Sequence, residues 1–160
     1  MKTGKILVAQ SKGTYIIKFI GDVRLNLCDT LDQYTDQMFE SDEFKTVIID
    51  LTETQCIDST SLGQLAKISI LYKEKYDQLP TIISTQKDIN RILMSMGFDQ
   101  VFYIVNELVA RVEQLEELPL QKADEQEMKH RVIEAHKLLM DMNQNNRIAF
   151  ADLVKSLEDN

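Results

Sequence analysis

Asp58, Ser59, Thr60 and Ser61 set one carboxylate and three hydroxyls in consecutive positions. Leu62, Leu65, Ile68 and Tyr72 follow at three- and four-residue intervals, with Ala66 beside them, so these oxygens fall at the start of a helix. There they can do two things. As caps, they accept hydrogen bonds from the unpaired N–H groups of the first turn. As a modification site, one of the hydroxyls can carry a phosphate, because the positive end of the helix dipole and the free N–H groups favour an anion. Such a phosphate adds about -1.5 to -2 charges to the surface and can switch binding without breaking the domain.

Catalytic machinery is not visible. The Gly-rich phosphate loops GxxxxGK[ST] and GxGxxG do not occur in a chain with five glycines, nor does GxSxG. Neither His130 nor His136 is close in sequence to a plausible nucleophile. On one helix these two histidines would face different ways, and Cys28 and Cys56 are too few and too far apart for a zinc knuckle or a redox pair. No metal and no cofactor are therefore expected, and the cysteines read as small buried or half-buried hydrophobes. The acid pairs Glu116 with Glu117 and Asp124 with Glu125 suit solvated helical faces.

The elements that position the hydroxyls alternate between strand and helix. A buried strand over Val47 to Leu51 leads into the Asp58 helix, as in α/β folds that carry function at a sheet edge. Before it, Ile6 to Ala9 and Thr14 to Ile20 form a hairpin across Ser11, Lys12 and Gly13. Gly21 and Asp22 then interrupt the second strand, and a helix follows over Asp29 to Phe39, ended by Ser41 and Asp42. After it, Pro80 opens a strand over Thr81 to Ser84. Asp88 caps a helix bearing Ile89, Ile92, Leu93 and Met96, with Gly97 at its left-handed end, and Val101 to Val105 is the final strand. Asn106 and Glu107 open a helix with Leu108, Val109, Val112, Leu115 and Leu118 inward, closed by Pro119. The expected fold is a mixed α/β sheet with helices packed on it.

Beyond Pro119 only helical periodicity survives. Met128, Val132, Ala135 or His136, and Leu139 mark one stripe from Lys122 to about Asp141. Phe150, Leu153, Val154 and Leu157 mark a shorter one after Asn143 to Asn146. The expected organisation is a domain over residues 1–118 and a helical hairpin over 119–160. Short helices are held mainly by packing of their apolar faces, so the hairpin must dock on the domain, on a second copy or on a partner.

A net charge of -8 argues against a nucleic-acid binder, which needs clustered Lys and Arg to displace counterions. The apolar run near the N-terminus is too short for a signal-peptide core, and no run is long enough to span a bilayer, so a cytoplasmic protein without membrane insertion is expected.

The strand ending in VIIDL, a short loop and then C-I-D-S-T-S-L-G resembles the signature of STAS domains, the fold of anti-anti-sigma factors. Their usual form is a strand followed by D-S-[ST]-G-L-G. The family's aspartate falls on Asp58, its phosphorylated serine on Ser59, its next hydroxyl on Thr60, and its leucine and glycine on Leu62 and Gly63. Gly21 and Asp22 resemble the family's G-[ED] after the second strand, and the match runs from about Ile6 to Leu118. One departure is Ser61, where the family has glycine; it adds bulk and a third hydroxyl beside the acceptor.

The resemblance implies a bacterial partner-switching phosphoprotein acting in signal transduction and transcription regulation. Its unphosphorylated form would bind an anti-sigma factor or similar serine-kinase switch protein, phosphorylation would end that binding, and a metal-dependent serine phosphatase would restore it. Ser59 would carry the phosphate, with Thr60 and Ser61 as the neighbouring alternatives. Asp58, Ser59, Thr60, Ser61, Leu62, Gly63 and Gln64 would form the partner-binding segment, with Thr60, Ser61 and Gln64 on its rim. Two rivals stay open. Some STAS proteins are accessory subunits of membrane transporters, including lipid transporters, and a polar helix start on such a sheet could also serve an unfamiliar hydrolase.

Overall fold

The computed structural model describes residues 2–107 and 114–159. A six-stranded mixed sheet runs in the order β5-β4-β3-β2-β1-β6. Its strands are β1 (Lys5–Ser11), β2 (Thr14–Val23), β3 (Thr46–Ile57), β4 (Thr81–Ile83), β5 (Tyr103–Val105) and β6 (Glu116–Glu117). The helices are α1 (Cys28–Glu40), α2 (Ser59–Tyr76), α3 (Lys87–Ser95), α4 (Glu125–Met142) and α5 (Gln144–Glu158). β1 pairs antiparallel with β2, whereas β2, β3, β4 and β5 run parallel to one another. The opening hairpin and the β1–β6 pairing therefore supply the antiparallel part, and helical crossovers join the parallel strands.

Period-two alternation explains which sheet face is covered. Ile6 and Val8, then Tyr15, Ile17 and Phe19, then Val47, Ile49 and Leu51 are buried and join one core with Leu31, Leu65, Ile68, Ile89 and Leu93 of the helices. The intervening Leu7, Lys18 and Ile48 are only half-buried. At one end of the core, Phe44 packs edge-on against Tyr15, Phe39 and Tyr72 at ring-centroid distances of 5.5, 5.0 and 6.0 Å, which ties α1 and α2 to the start of β3.

Several boundaries differ from the sequence reading, each because a neighbour claims the backbone. Gly21 and Asp22 do not interrupt β2; the strand reaches Val23 and absorbs them as register shifts against β3. Gln86, not Asp88, is the N-cap of α3, and Asp88 lies in its first turn. The strand expected over Val101 to Val105 is shortened to Tyr103–Val105 because the backbone N–H groups of Val101 and Phe102 complete the 3-10 turn by bonding the Phe98 carbonyl at 3.1 and 2.9 Å.

Nor is that strand the last. Asn106 and Glu107 are not helical, and most of the helix expected to follow them, residues 108–113, lies outside the described residues. Its expected end is extended instead, since Glu116 and Glu117 pair with β1 and the Leu118 N–H donates to the Ile6 carbonyl at 2.9 Å. The open edge of β1 takes these backbone groups, which a helix could not offer it. Gly97, read as left-handed, has φ of 84° and follows α3 as expected.

The tail is a helical hairpin and it docks on the domain, with α4 lying along α2. Asp124 caps α4 by accepting from the Glu127 N–H at 2.7 Å, and Asn143 caps α5 by accepting from the Asn146 N–H at 2.8 Å. Ala135, His136 and Leu139 are the buried residues of α4, and Val154 and Asn146 those of α5. Leu153, placed on the α5 stripe by periodicity, is instead exposed, since α5 covers α4 with a narrower face. Among the described residues, no helix is long and apolar enough to cross a membrane.

Candidate functional site

The site is built on one aspartate. Asp58 leaves β3 with extended backbone and caps α2, its Oδ1 accepting from the Ser61 N–H at 2.8 Å. Its Oδ2 accepts from the Leu25 N–H at 2.9 Å, in the 3-10 turn (Leu25–Leu27) that leads into α1. The Asp58 N–H in turn donates to the Val23 carbonyl at 3.0 Å. One residue thus locks the end of β2, the turn before α1 and the first turn of α2 into a fixed arrangement.

The three hydroxyls of that first turn have different surroundings. Thr60 and Ser61 are buried, at 4% and 2% exposure, so neither stands on the rim where the sequence places it. Ser61 points inward, its Oγ 3.7 Å from Cys28 Sγ, and the departure from the family pattern is thereby absorbed in the core. Burial pushes the Cys28 thiol up to about 12, so it stays a neutral packing group. Ser59 alone of the three is half-buried.

Ser59 meets the hairpin. Its Oγ lies 2.8 Å from Nε2 of His136, a buried residue of α4. His136 Nδ1 is 2.7 Å from the Val132 carbonyl, which can only accept. Nδ1 therefore carries the proton in the neutral ring, and Nε2 receives the bond donated by the Ser59 hydroxyl. The ring is held edge-on to Phe150 of α5, 4.8 Å between centroids. A carbonyl, not a carboxylate, orients the imidazole, so the pair lacks the acid that backs the base in a hydrolytic triad.

One turn further along α2, Gly63 lets α4 approach. A Cβ at Gly63 would stand 2.4 Å from the Ala135 carbonyl oxygen and 2.5 Å from the Ala135 Cβ, so no larger residue fits. Gln64, also expected on a rim, is 2% exposed and donates from Nε2 to Glu134 Oε1 at 3.3 Å. Leu62 is a core residue at 1% exposure.

Beside this contact lies a charged cluster that no sequence motif marks. Arg131 of α4 reaches Asp29 Oδ1 at 2.7 Å and Asp32 Oδ2 at 3.0 Å, both on α1. Lys67 of α2 bridges Asp32 Oδ1 at 2.9 Å and Glu134 Oε1 at 3.3 Å. Burial alone would lower the Lys67 pKa, but bonding to Asp32 and the Glu134 charge raise it above its ordinary value. Burial likewise opposes ionisation of Glu134, yet Lys67, Gln64 and Arg131 together hold its carboxyl below the usual range. His136, Arg131 and Lys67 were beyond sequence reasoning because the contacts they make span 77, 102 and 35 positions.

The mixed sheet thus delivers a helix start capped by Asp58, on which Ser59 is the half-buried hydroxyl. The chain belongs to the STAS domain family, whose model matches residues 5–115. No curated protein sequence matches it. Among solved structures it is similar to a candidate anti-sigma factor antagonist from Thermotoga maritima, at 15% identity and a TM-score of 0.56 over 63% of this chain and 86% of that one. It is also similar to the anti-sigma factor antagonist SpoIIAA in its unphosphorylated form, at 10% identity and a TM-score of 0.54 over 65% of this chain and 89% of that one. At these identities the likeness is one of fold. Helix α4, whose His136 meets Ser59, and helix α5 lie beyond the residues the family model matches.

Proposed function

We propose that the protein is an anti-sigma factor antagonist that works in the bacterial cytoplasm by partner switching, with Ser59 as its phosphoacceptor. The observation that carries this reading is the contrast among the three hydroxyls: Thr60 and Ser61 are buried, whereas Ser59 is half-buried at the capped start of α2 in a STAS fold. In the unphosphorylated state the surface around Ser59 binds an anti-sigma factor or a similar serine-kinase switch protein. The kinase transfers the γ-phosphoryl group of ATP to Ser59 Oγ. A new O–P bond forms, the bond from the γ-phosphorus to the bridging oxygen breaks, ADP leaves, and the hydroxyl proton passes to the kinase's base.

The added phosphate then faces the partner with a doubly charged group that is costly to desolvate, and the partner leaves. A metal-dependent serine phosphatase reverses the step. The chain itself performs no chemistry in this scheme. Asp58 holds the first turn in place, and the helix N-terminus tolerates the anion, so release is local and the fold persists.

The test uses full-length protein with genetically encoded phosphoserine at position 59, beside unmodified and Ser59→Ala forms, as bait in native cytoplasmic extract. A serine-kinase protein should be captured by the unmodified and alanine forms, and its affinity for the phosphoserine form should fall at least about tenfold, near 1.4 kcal/mol. Capture of an ATPase with a permease would instead identify a transporter subunit. Phosphorylation at Thr60 or Ser61 by the captured kinase, with Ser59→Ala still modified, would move the acceptor away from Ser59.

A further inference from the structure

The hairpin occupies the surface that the proposed function needs. Four contacts seat α4 on α2 and α1: His136 on Ser59, Ala135 on Gly63 and Glu134 on Gln64 and Lys67, all on α2, and Arg131 between Asp29 and Asp32 of α1. A second anchor lies at the interhelical turn. Asn146 Nδ2 and Asn143 Nδ2 both donate to the Met96 carbonyl, at 2.9 and 3.1 Å, in the residue that ends α3. Asn146 also donates to the Leu139 carbonyl at 2.9 Å and is itself buried. Such specific pairing at both ends defines one docked position.

In that position the imidazole takes the side of Ser59 Oγ that faces α4. A phosphoryl group on Oγ brings three further oxygens to the side of Ser59 where the imidazole now stands at hydrogen-bond distance. His136 cannot swing aside within the closed form, because Nδ1 is held by the Val132 carbonyl and the ring abuts Phe150. Nor can α4 slide closer or deeper, since Ala135 already fills the space over Gly63.

We propose that α4 is an intramolecular occupant of the Ser59 face, and that its docking and a phosphate on Ser59 exclude one another. This rests on Ser59 as the acceptor. The protein then has a closed form, in which the hydroxyl is sealed under His136, and an open form, in which kinase or partner can reach it. A partner of this face competes with α4, and the geometry states what it must present: a helix with a small residue over Gly63 and a cation between Asp29 and Asp32. Phosphorylation of the open form bars reclosure. It leaves the hairpin released, with the apolar stripe of Val132, Ala135 and Leu139 newly exposed.

Hydrogen exchange on full-length protein tests this without any partner. With encoded phosphoserine at position 59, amides of residues 128–142 should exchange at least about tenfold faster, as for a helix freed from its packing, while β2 and β3 keep their protection. Ala135→Leu lies on the hairpin and wedges it off Gly63, so it should give the same pattern with no phosphate present. Unchanged protection of α4 in the phosphoserine protein would overturn the proposal. So would slower exchange, the sign of a phosphate bonded to a protonated His136, or loss of protection in β2 and β3 as well. Failure here would leave the partner-capture result standing, because neither measurement uses the other's readout.

Discussion

The sheet–helix core and the α2–α4 contact are both buried, but they are made of different material. In the core, Ile17, Val47, Ile49, Leu65 and Ile82 have no exposed surface, and contact is almost wholly apolar. Under α4 the contact is mixed: Leu139 joins the domain's own core with Met142 and Phe150 packed against it, and beside them lie an imidazole–hydroxyl bond, an amide–carboxylate bond and ion pairs. Apolar burial involves no titrating group, so it holds the core together without direct dependence on pH. A polar contact exchanges water for protein partners at a small net gain, so it can open while the core stays folded. The proposed release of the hairpin draws on this difference.

The contrast is sharpest at Leu65, which is fully buried between α2 and the sheet. Leu65→Ala should cost about 2–5 kcal/mol of global stability, read as a lowered urea midpoint for the core signal. An unchanged core midpoint would mean that the core does not depend on this packing.

A smaller effect is expected at Asn146. Removing its side chain takes two donated bonds from the Met96 and Leu139 carbonyls. Asn146→Ala should weaken docking by about 1–3 kcal/mol, seen as faster exchange in α5 with β3 unchanged. Equal loss in β3 would show that the hairpin and the core open as one unit.

The smallest effect is that of pH on the charged cluster, and its sign follows from the two shifts. Glu134 has its carboxyl held below the ordinary 4.5, so its contribution to docking is full above that value and is lost as pH falls through the depressed one. Lys67 is raised above the ordinary 10.5, so its contribution is full below that value and is lost as pH rises through the raised one. Exchange of α4 amides, corrected for intrinsic rates, should be slowest between these limits and quicken on the acid side first. Glu134→Gln should flatten the acid limb; a limb that stays as steep would mean that Glu134 does not set it.

Much of this molecule was legible in the chain. Period-two and helical spacing placed the strands and α-helices from β1 to α3, though β3 runs on to Ile57, past the expected Leu51, and the 3-10 turn at Leu25–Leu27 was not read; the Asp58 cap was read from residue type, because the first turn of a helix has N–H groups that only nearby oxygens can satisfy. The hairpin and its need for cover followed from two apolar stripes. The strand at Glu116–Glu117 did not, since pairing with the open edge of β1 is a property of the neighbour and leaves no mark on two glutamates.

The site divides in the same way. Sequence determined which hydroxyls stand at the head of α2, since that depends on residues within one turn of one another. Tertiary structure alone decided that Thr60 and Ser61 are buried, that Gly63 is a seat for Ala135, and that His136 reaches Ser59 from 77 positions away. The physical reason is range. Capping and periodicity act between residues a few positions apart, whereas a histidine's choice of partner is set by how two whole helices pack, which no spacing along the chain encodes.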